Sequence, residues 1–255
     1  MWNAGIEMSE YKVLTAGDTA LVVEFGDRVD RKLSSFVLAL ARRLDDIRLD
    51  GIVETVPTFR SLMVHYDPLV ISADALVARI VDLMKGLRTV DHGSREWRLP
   101  VCYDPELALD LGDVAARTGL TPGRVIELHA SVTYHVYMLG FMPGFAYAGD
   151  LPADLVLARR EMPRPRVAAG SVAIATTMST IFPRESPTGW HVIGRSPVAL
   201  WRRTKSGTGP GALLAPGDKI VFAPISLREY RELAAQAATG ALDLEPANAW
   251  TGAAA

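Results

Sequence analysis

Two periods of apolar residues organise the first hundred residues. Short apolar runs at 12–14 and 20–25 flank a turn-forming Ala-Gly-Asp triplet, and the alternation across 56–66 predicts a further strand. Apolar residues at helical spacing predict two helices, the first capped by Asp30 and the second by Ser72. With a last strand at 98–103, the order strand, helix, strand, helix, strand predicts a ferredoxin-like α+β unit.

The pattern changes in the second half of the chain. Helices are predicted at 113–118, from Thr121-Pro122, and after a capping box of Ser226 and Glu229. Between them, short β-prone stretches separated by Gly and Pro predict a closed or nearly closed β-barrel. These stretches are 134–138, 172–175, 191–193, 198–201 and 219–223.

A polar stretch, Asp91-His92-Gly93-Ser94, is the predicted linker between the two halves. It places an N-terminal α+β domain at 1–92 and a mainly-β barrel domain at 93–255. The sequence leaves open whether the strand at 98–103 belongs before or after the linker.

Composition excludes several classes of protein. Hydrophobic residues make up 49% and charged residues 22%, which is typical of a globular protein, and the net charge of -2 argues against a nucleic-acid partner. No apolar run approaches the roughly 18 residues that cross a bilayer. Cys102 is the single cysteine, which precludes an intrachain disulfide. We therefore expect a cytoplasmic protein that binds neither membrane nor nucleic acid.

Several common catalytic motifs are absent from the sequence. There is no phosphate-binding loop ending in Gly-Lys-Ser/Thr, no paired Cys/His set with metal spacing, and no Gly-x-Ser-x-Gly elbow. The Gly-rich stretch 207–211 precedes a strand-like segment rather than a helix, so we interpret it as a loop. Any chemistry is therefore expected to be shared with other chains.

Glycine, proline, aromatic and arginine residues concentrate between residues 140 and 197. Glycines allow a backbone to approach a ligand closely and to present N–H groups to an anion. Arginines on a proline-stiffened stem suit bidentate capture of a carboxylate. Together these residues predict a pocket for a small carboxylated amide. The candidate residues are Gly140, Phe141, Pro143, Gly144, Phe145, Arg164, Arg166, Ser186, Trp190 and Arg195.

His129 is also a candidate substrate-binding residue. No carboxylate or nucleophile is visibly paired with it in the sequence, so a packed histidine is the competing interpretation. Taken singly, each glycine or aromatic ring in this region also fits a purely structural role at the corners of a barrel.

The combination of motifs resembles the family of B-type subunits of 5-oxoprolinase, which includes allophanate hydrolase subunit 1 and Kip-type sporulation kinase inhibitors. The resemblance runs in order from about Tyr11 to Tyr230. The strings that carry it are Arg60-Ser61-Leu62, His65-Tyr66-Asp67-Pro68, His129 with Tyr134, Gly140-Phe141-Met142-Pro143-Gly144-Phe145, Pro163-Arg164 with Arg166, Ala169-Gly170-Ser171-Val172, Ser186-Pro187, Gly189-Trp190, Ile193-Gly194-Arg195 with Pro197, and Pro216-Gly217-Asp218.

The resemblance implies a small N-terminal α+β domain followed by a cyclophilin-like β-barrel. It also implies a partner of the C-type, with which the chain would form a unit like the carboxyltransferase domain of urea carboxylase. A larger partner of the A-type would complete an ATP-dependent complex that opens 5-oxoproline to glutamate, with ATP bound in the complex and not necessarily by this chain.

The sequence departs from the family pattern at two places. Thr176-Thr177-Met178-Ser179-Thr180 stands where relatives usually carry a glycine-rich turn, and Thr188 stands where a glycine is usual. These changes remove backbone freedom and add bulk at the presumed pocket wall. The substrate therefore stays open between 5-oxoproline and allophanate or another ureido acid. A third interpretation is a regulator that docks on a histidine kinase, with Phe141, Phe145 and Trp190 lining a peptide groove.

Overall fold

The computed structural model describes residues 11–87, 94–201, 211–242 and 244–247. The chain divides into two compact units, Met1–Gly93 and Ser94–Ala255, each with its own buried apolar cluster. Residues 91–93 of the predicted linker and residues 207–210 of the Gly-rich stretch lie outside the described residues.

The first unit packs two helices against an antiparallel sheet with the strand order β1-β2-β4-β3. Its helices begin where the sequence predicts, because the Asp30 carboxylate accepts the N–H groups of Lys32 and Leu33, and Ser72 accepts that of Ala75. The elements are β1 (Tyr11–Thr15), β2 (Ala20–Phe25), α1 (Arg31–Ile47), β3 (Ile52–Pro57), β4 (Ser61–Tyr66) and α2 (Ala73–Met84).

The order of elements in this unit differs from the prediction. The single strand expected at 56–66 is two strands, because the chain turns where the N–H of Thr58 donates to the carbonyl of Ser61 at 2.8 Å. The unit therefore runs strand, strand, helix, strand, strand, helix. The ferredoxin-like part of the prediction is not confirmed. The strand predicted at 98–103 corresponds to β5, which belongs to the second unit.

The second unit is built on a closed barrel with the strand order β10-β7-β6-β13-β5-β12-β9. This confirms the closed barrel expected from the Gly/Pro spacing. A separate two-stranded ribbon joins β8 to β11. The elements are β5 (Glu96–Cys102), α3 (Leu111–Thr118), α4 (Pro122–Ala130), β6 (Tyr134–Leu139), β7 (Ala146–Gly149), a 3-10 turn (Ala153–Leu155), β8 (Arg164–Val167), β9 (Ser171–Ala175), β10 (Met178–Ile181), β11 (Ser186–Thr188), β12 (His191–Arg195), β13 (Lys219–Ile225) and α5 (Leu227–Ala238).

Four of the five β-prone stretches correspond to the strands β6, β9, β12 and β13. The fifth, 198–201, does not form a strand, and only Trp201 makes a single bridge, to Ala212. Conversely, β8 and β11 lie in segments that the Gly/Pro punctuation predicts as turns, because each is three or four residues long and pairs with the other, a partner distant in sequence. The short strands β7 and β10 were not predicted either, although they pair with the neighbouring strands β6 and β9. The capping box of Ser226 and Glu229 is formed.

Within the described ranges, no helix has the length and apolar character needed to span a bilayer.

Candidate functional site

Five aromatic rings pack together around Phe145, and we call them the aromatic cluster. Phe145 is 2% exposed, and its ring meets four others edge-on. The centroid distances are 5.4 Å to Phe141, 4.9 Å to Tyr147, 5.2 Å to Phe182 and 6.2 Å to Trp190. Edge-to-face contacts at these distances stabilise a rigid arrangement. The structure thus brings together three predicted site residues, Phe141, Phe145 and Trp190.

The loop 140–145, which joins β6 to β7, is held by its own backbone. The N–H of Gly140 donates to the carbonyl of Phe145 at 3.1 Å, that of Met142 to Gly140 at 2.8 Å, and that of Phe145 to Met142 at 3.0 Å. No partner for the N–H groups of Phe141 and Gly144 is found among the described residues. Two backbone donors of this predicted binding loop are therefore not used by the loop itself.

Two loop residues have left-handed backbone conformations. Phe141 has φ 68° and a side chain that is 66% exposed, although its ring edge touches the cluster. Gly144 has φ 79°, and a Cβ built on it would lie 2.9 Å from the backbone oxygen of Leu200. A non-glycine residue with positive φ is uncommon and marks a segment held by its surroundings. Pro143, between them, is exposed.

The ribbon of β8 and β11 leads directly into Trp190. Arg164 lies opposite Thr188 in the ribbon, and Ser186 lies opposite Val167. The Thr188 hydroxyl accepts a hydrogen bond from the backbone N–H of Trp190 at 2.9 Å. This bond holds the backbone from which the indole ring extends. Ser186 is 7% exposed and its hydroxyl donates to the carbonyl of the neighbouring Pro187, so this hydroxyl is engaged within the ribbon.

The three predicted anion-binding arginines have different surroundings. Arg164 donates through Nε to Asp110 Oδ2 at 3.1 Å and through Nη2 to Oδ1, so its fork is occupied by a protein carboxylate. Arg166 pairs with Glu185 at 2.6 Å on the surface, where the two side chains are 75% and 50% exposed. Arg195 ends β12 opposite Cys102. The described residues give its guanidinium no ion-pair partner.

Asp110 is the buried centre of an ionic cluster that the sequence did not indicate. Its carboxylate is 2% exposed and accepts from Arg160 at 2.6 Å, from Arg164, and from the N–H of Val192 at 2.8 Å. Burial alone would raise the pKa of Asp110, but the hydrogen bonds from Arg164 and Val192 and the charges of both arginines outweigh it. The pKa of Asp110 therefore lies below its usual range, and the carboxylate is ionised.

His129 is placed in the interior of the second unit. It is fully buried, Nδ1 lies 2.7 Å from the Tyr103 hydroxyl, Nε2 lies 2.8 Å from the Ser179 hydroxyl, and the ring stacks on Phe222 at 4.5 Å. Ser179 belongs to β10 and Phe222 to β13, and these strands are not neighbours in the barrel. The imidazole ring therefore contacts two strands that do not pair with each other. Burial lowers the pKa of His129 to about 3. The side chain is neutral and has no access to solvent.

Sequence reasoning did not find Asp110, Arg160, Tyr147 and Phe182. Asp110 stands between two leucines just before α3, which reads as an ordinary helix cap, yet its side chain makes no capping bond. Arg160 follows Arg159 and lies four residues before Arg164 of the Pro-Arg motif. This proximity in sequence was the one feature that could have indicated a role for Arg160. The described residues contain no group of three or more His, Cys, Asp or Glu arranged to hold a metal ion.

Similarity to known proteins shows the family of this chain. The model for the carboxyltransferase domain, subdomain C and D, matches residues 11–210. The B-type subunit of 5-oxoprolinase from Bacillus subtilis (strain 168) is 35% identical over 231 residues, which cover 86% of this chain and 95% of that protein. The chain belongs to the family of 5-oxoprolinase B-type subunits. The resemblance read from the sequence motifs is confirmed.

Solved structures extend the likeness to the fold. The crystal structure of TTHA0988 matches with a TM-score of 0.71 and 35% identity, over 81% of this chain and 40% of that one. The Kluyveromyces lactis urea amidolyase matches with a TM-score of 0.76 and 19% identity, over 92% of this chain and 16% of the other, and shows the fold alone. This family member therefore spans less than half of either solved chain.

Proposed function

We propose that this chain is a non-autonomous subunit of an ATP-dependent complex that opens 5-oxoproline to glutamate. The observation that carries the proposal is the 35% identity to a B-type subunit of 5-oxoprolinase, which extends over 95% of that subunit. The corresponding protein of Escherichia coli O157:H7 supports it, with 34% identity over 97% of its length. The expected partners are the C-type and A-type chains of the same complex.

The chemistry explains why one chain is insufficient. A lactam is a resonance-stabilised amide, and in the complex ATP would supply the energy by making its oxygen a phosphorylated leaving group. The sequence contains no phosphate-binding loop of the Gly-Lys-Ser/Thr type. We therefore assign ATP binding to a partner chain, and to this chain the binding and orientation of a small carboxylated amide.

The exposed Arg166, the partly buried Arg195 and a loop N–H with no partner among the described residues support this assignment. The surface pair of Arg166 with Glu185 contributes about 0–1 kcal/mol, so a substrate carboxylate can replace Glu185 at little cost. Arg195 offers a second guanidinium. The N–H of the exposed Phe141 is the loop donor available to an oxyanion, whereas Gly144 is buried against Leu200. Arg164 is excluded as a free anion anchor in this proposal, because Asp110 occupies its fork.

The aromatic cluster supports a flat ligand beside the loop. The exposed ring of Phe141 rests on Phe145, which in turn contacts Trp190. A small ring that lies on Phe141 would contact the residue whose own N–H has no partner among the described residues. This arrangement suits a five-membered lactam with one carboxylate and one carbonyl oxygen.

Reconstitution of the complex tests the proposal. The chain is co-expressed with the C-type and A-type chains of the same host, and ATP-dependent glutamate release from 5-oxoproline is measured beside turnover of allophanate. Arg166→Ala and Arg195→Ala are compared with wild type. Loss of a charged hydrogen bond of about 1.5–3 kcal/mol predicts a KM roughly ten- to a hundredfold higher for the variant that loses the anchor.

The control is Arg228→Ala, which removes an arginine from an equally exposed pair with Glu232 on α5. It should leave KM unchanged. Faster turnover of allophanate would reassign the substrate, and no turnover of either compound by the three-chain complex would remove the enzyme proposal. If both binding variants retain the wild-type KM, neither guanidinium holds the substrate.

A further inference from the structure

We infer that Asp110 is a positioning residue, whose carboxylate holds the ribbon β8–β11 and Trp190 in the arrangement that the candidate site requires. This inference rests on the proposed function for its catalytic consequence. The contacts of Asp110 within the described residues include neither the aromatic cluster nor Arg166 and Arg195, so it acts through the residues it binds.

The carboxylate of Asp110 connects several segments of the second unit. One Asp110 side chain, 2% exposed, accepts hydrogen bonds from Arg160, Arg164 and the backbone of Val192. Its own N–H donates to the carbonyl of Val192 at 2.7 Å. A single residue thus joins the start of α3, the segment before β8, the strand β8 and the strand β12.

The two arginines bound to Asp110 also contact the residues that precede Trp190. Arg164 begins β8 and lies opposite Thr188, whose hydroxyl accepts the N–H of Trp190. The N–H of Arg160 donates to the carbonyl of Gly189 at 2.7 Å. Both arginines bound by the carboxylate therefore also hold the residues immediately before Trp190, and Trp190 packs on Phe145.

Loss of the negative charge of Asp110 would leave both arginines poorly compensated. Arg160 and Arg164 have side chains only 23% and 31% exposed, and Nε of Arg160 already has no hydrogen-bond partner within the described part of the chain. Without the negative charge, two partly buried guanidiniums would keep only weaker acceptors, such as the carbonyl of Leu109 at 3.5 Å from Arg164 Nη2, a strongly unfavourable arrangement. The ribbon would shift until the guanidiniums reached water. A displacement of about 1 Å can lower a reaction rate by roughly a hundredfold.

The test compares Asp110→Asn with Asp113→Asn in the reconstituted complex. Asp113 lies in the first turn of α3, three residues after Asp110, but it is 39% exposed, pairs with Arg117 at 2.9 Å and approaches Arg160 only to 3.9 Å. For Asp110→Asn we expect a KM at least about tenfold higher. Asp110→Glu restores the charge and should recover part of that loss. Asp113→Asn should stay within about twofold of wild type. Mere loss of folded protein would lower kcat and leave KM unchanged.

Limited trypsin digestion gives a readout that does not depend on activity. Cleavage after Arg159, Arg160 or Arg166 should be faster in Asp110→Asn than in Asp113→Asn, whereas Arg164 is followed by proline and resists cleavage. If Asp110→Asn does not fold, Arg164→Lys removes the two-pronged contact and keeps the carboxylate. It should show the same faster cleavage.

The outcomes separate the two proposals. Equal KM values and equal digestion for the Asp110 and Asp113 variants would overturn the positioning role. A wild-type complex that does not hydrolyse 5-oxoproline would remove the proposed function, and the digestion rates would still decide whether Asp110 holds the ribbon.

Discussion

The burial of His129 predicts how the stability of the second unit depends on pH. Its pKa in the folded chain is lowered to about 3 by burial, from an ordinary value of 6.5. Between these values the unfolded chain binds a proton that the folded chain does not. The contribution of the neutral histidine is therefore complete above pH 6.5 and is lost as the pH falls towards 3.

The magnitude follows from the two pKa values. Each pH unit in this window corresponds to about 1.4 kcal/mol, so acidification from about pH 7.5 to about pH 4.5 should remove about 2–3 kcal/mol of unfolding free energy through His129 alone. His129→Gln cannot titrate and should lack that part of the loss. The variant will be less stable at neutral pH because the stacking on Phe222 is lost, so the difference between pH values is the informative quantity.

Urea denaturation at a series of pH values, followed by tryptophan fluorescence, measures this difference. Trp97, Trp190 and Trp201 all belong to the second unit. Tyr103→Phe is the matched control, because it removes the hydroxyl partner of Nδ1 but keeps a buried histidine and hence most of the pH dependence. If wild type and His129→Gln lose equal stability across this acidification, the description of His129 as a neutral interior residue is wrong.

Two further predictions concern backbone conformation. Thr176 has φ 52° in the two-residue turn between β9 and β10. Thr176→Gly should raise the unfolding free energy, measured by urea titration, by about 0.5–1 kcal/mol. The reason is that relief of a backbone strain of about 1–2 kcal/mol exceeds the cost of the added entropy of the unfolded chain. Thr177→Gly, the neighbouring control without positive φ, should not stabilise, and an equal gain in both would contradict the reasoning. Gly144→Ala should lower the melting temperature and cost at least about 2 kcal/mol, because its Cβ would meet a backbone oxygen at 2.9 Å. The Cβ of Gly140→Ala would approach the flexible end of Met138 at 2.9 Å and Tyr147 at an ordinary contact distance of 3.7 Å, so its cost should be clearly smaller. Equal costs would refute the argument.

Local features of this chain were predictable from the sequence. The caps at Asp30, Ser72, Thr121 and Ser226 form as expected, because each involves a side chain and an N–H group two or three residues away. The closed barrel followed from the spacing of β-prone stretches. The family followed from many short motifs in a fixed order, although each motif alone is unspecific.

Pairings between distant residues were decided only by the tertiary structure. Arg164 was predicted as an anion anchor, but chain closure brings it to Asp110, 54 residues earlier, and the carboxylate takes its fork. His129 was predicted as a candidate binding residue, but its ring is buried against Ser179 of β10 and Phe222 of β13. The short strands β8 and β11 stabilise each other across the ribbon, and a strand that contains Pro165 gives no signal by itself. Helix caps and apolar periods are determined within a few residues, whereas the partner of a buried charge is set by which distant segments the fold brings together.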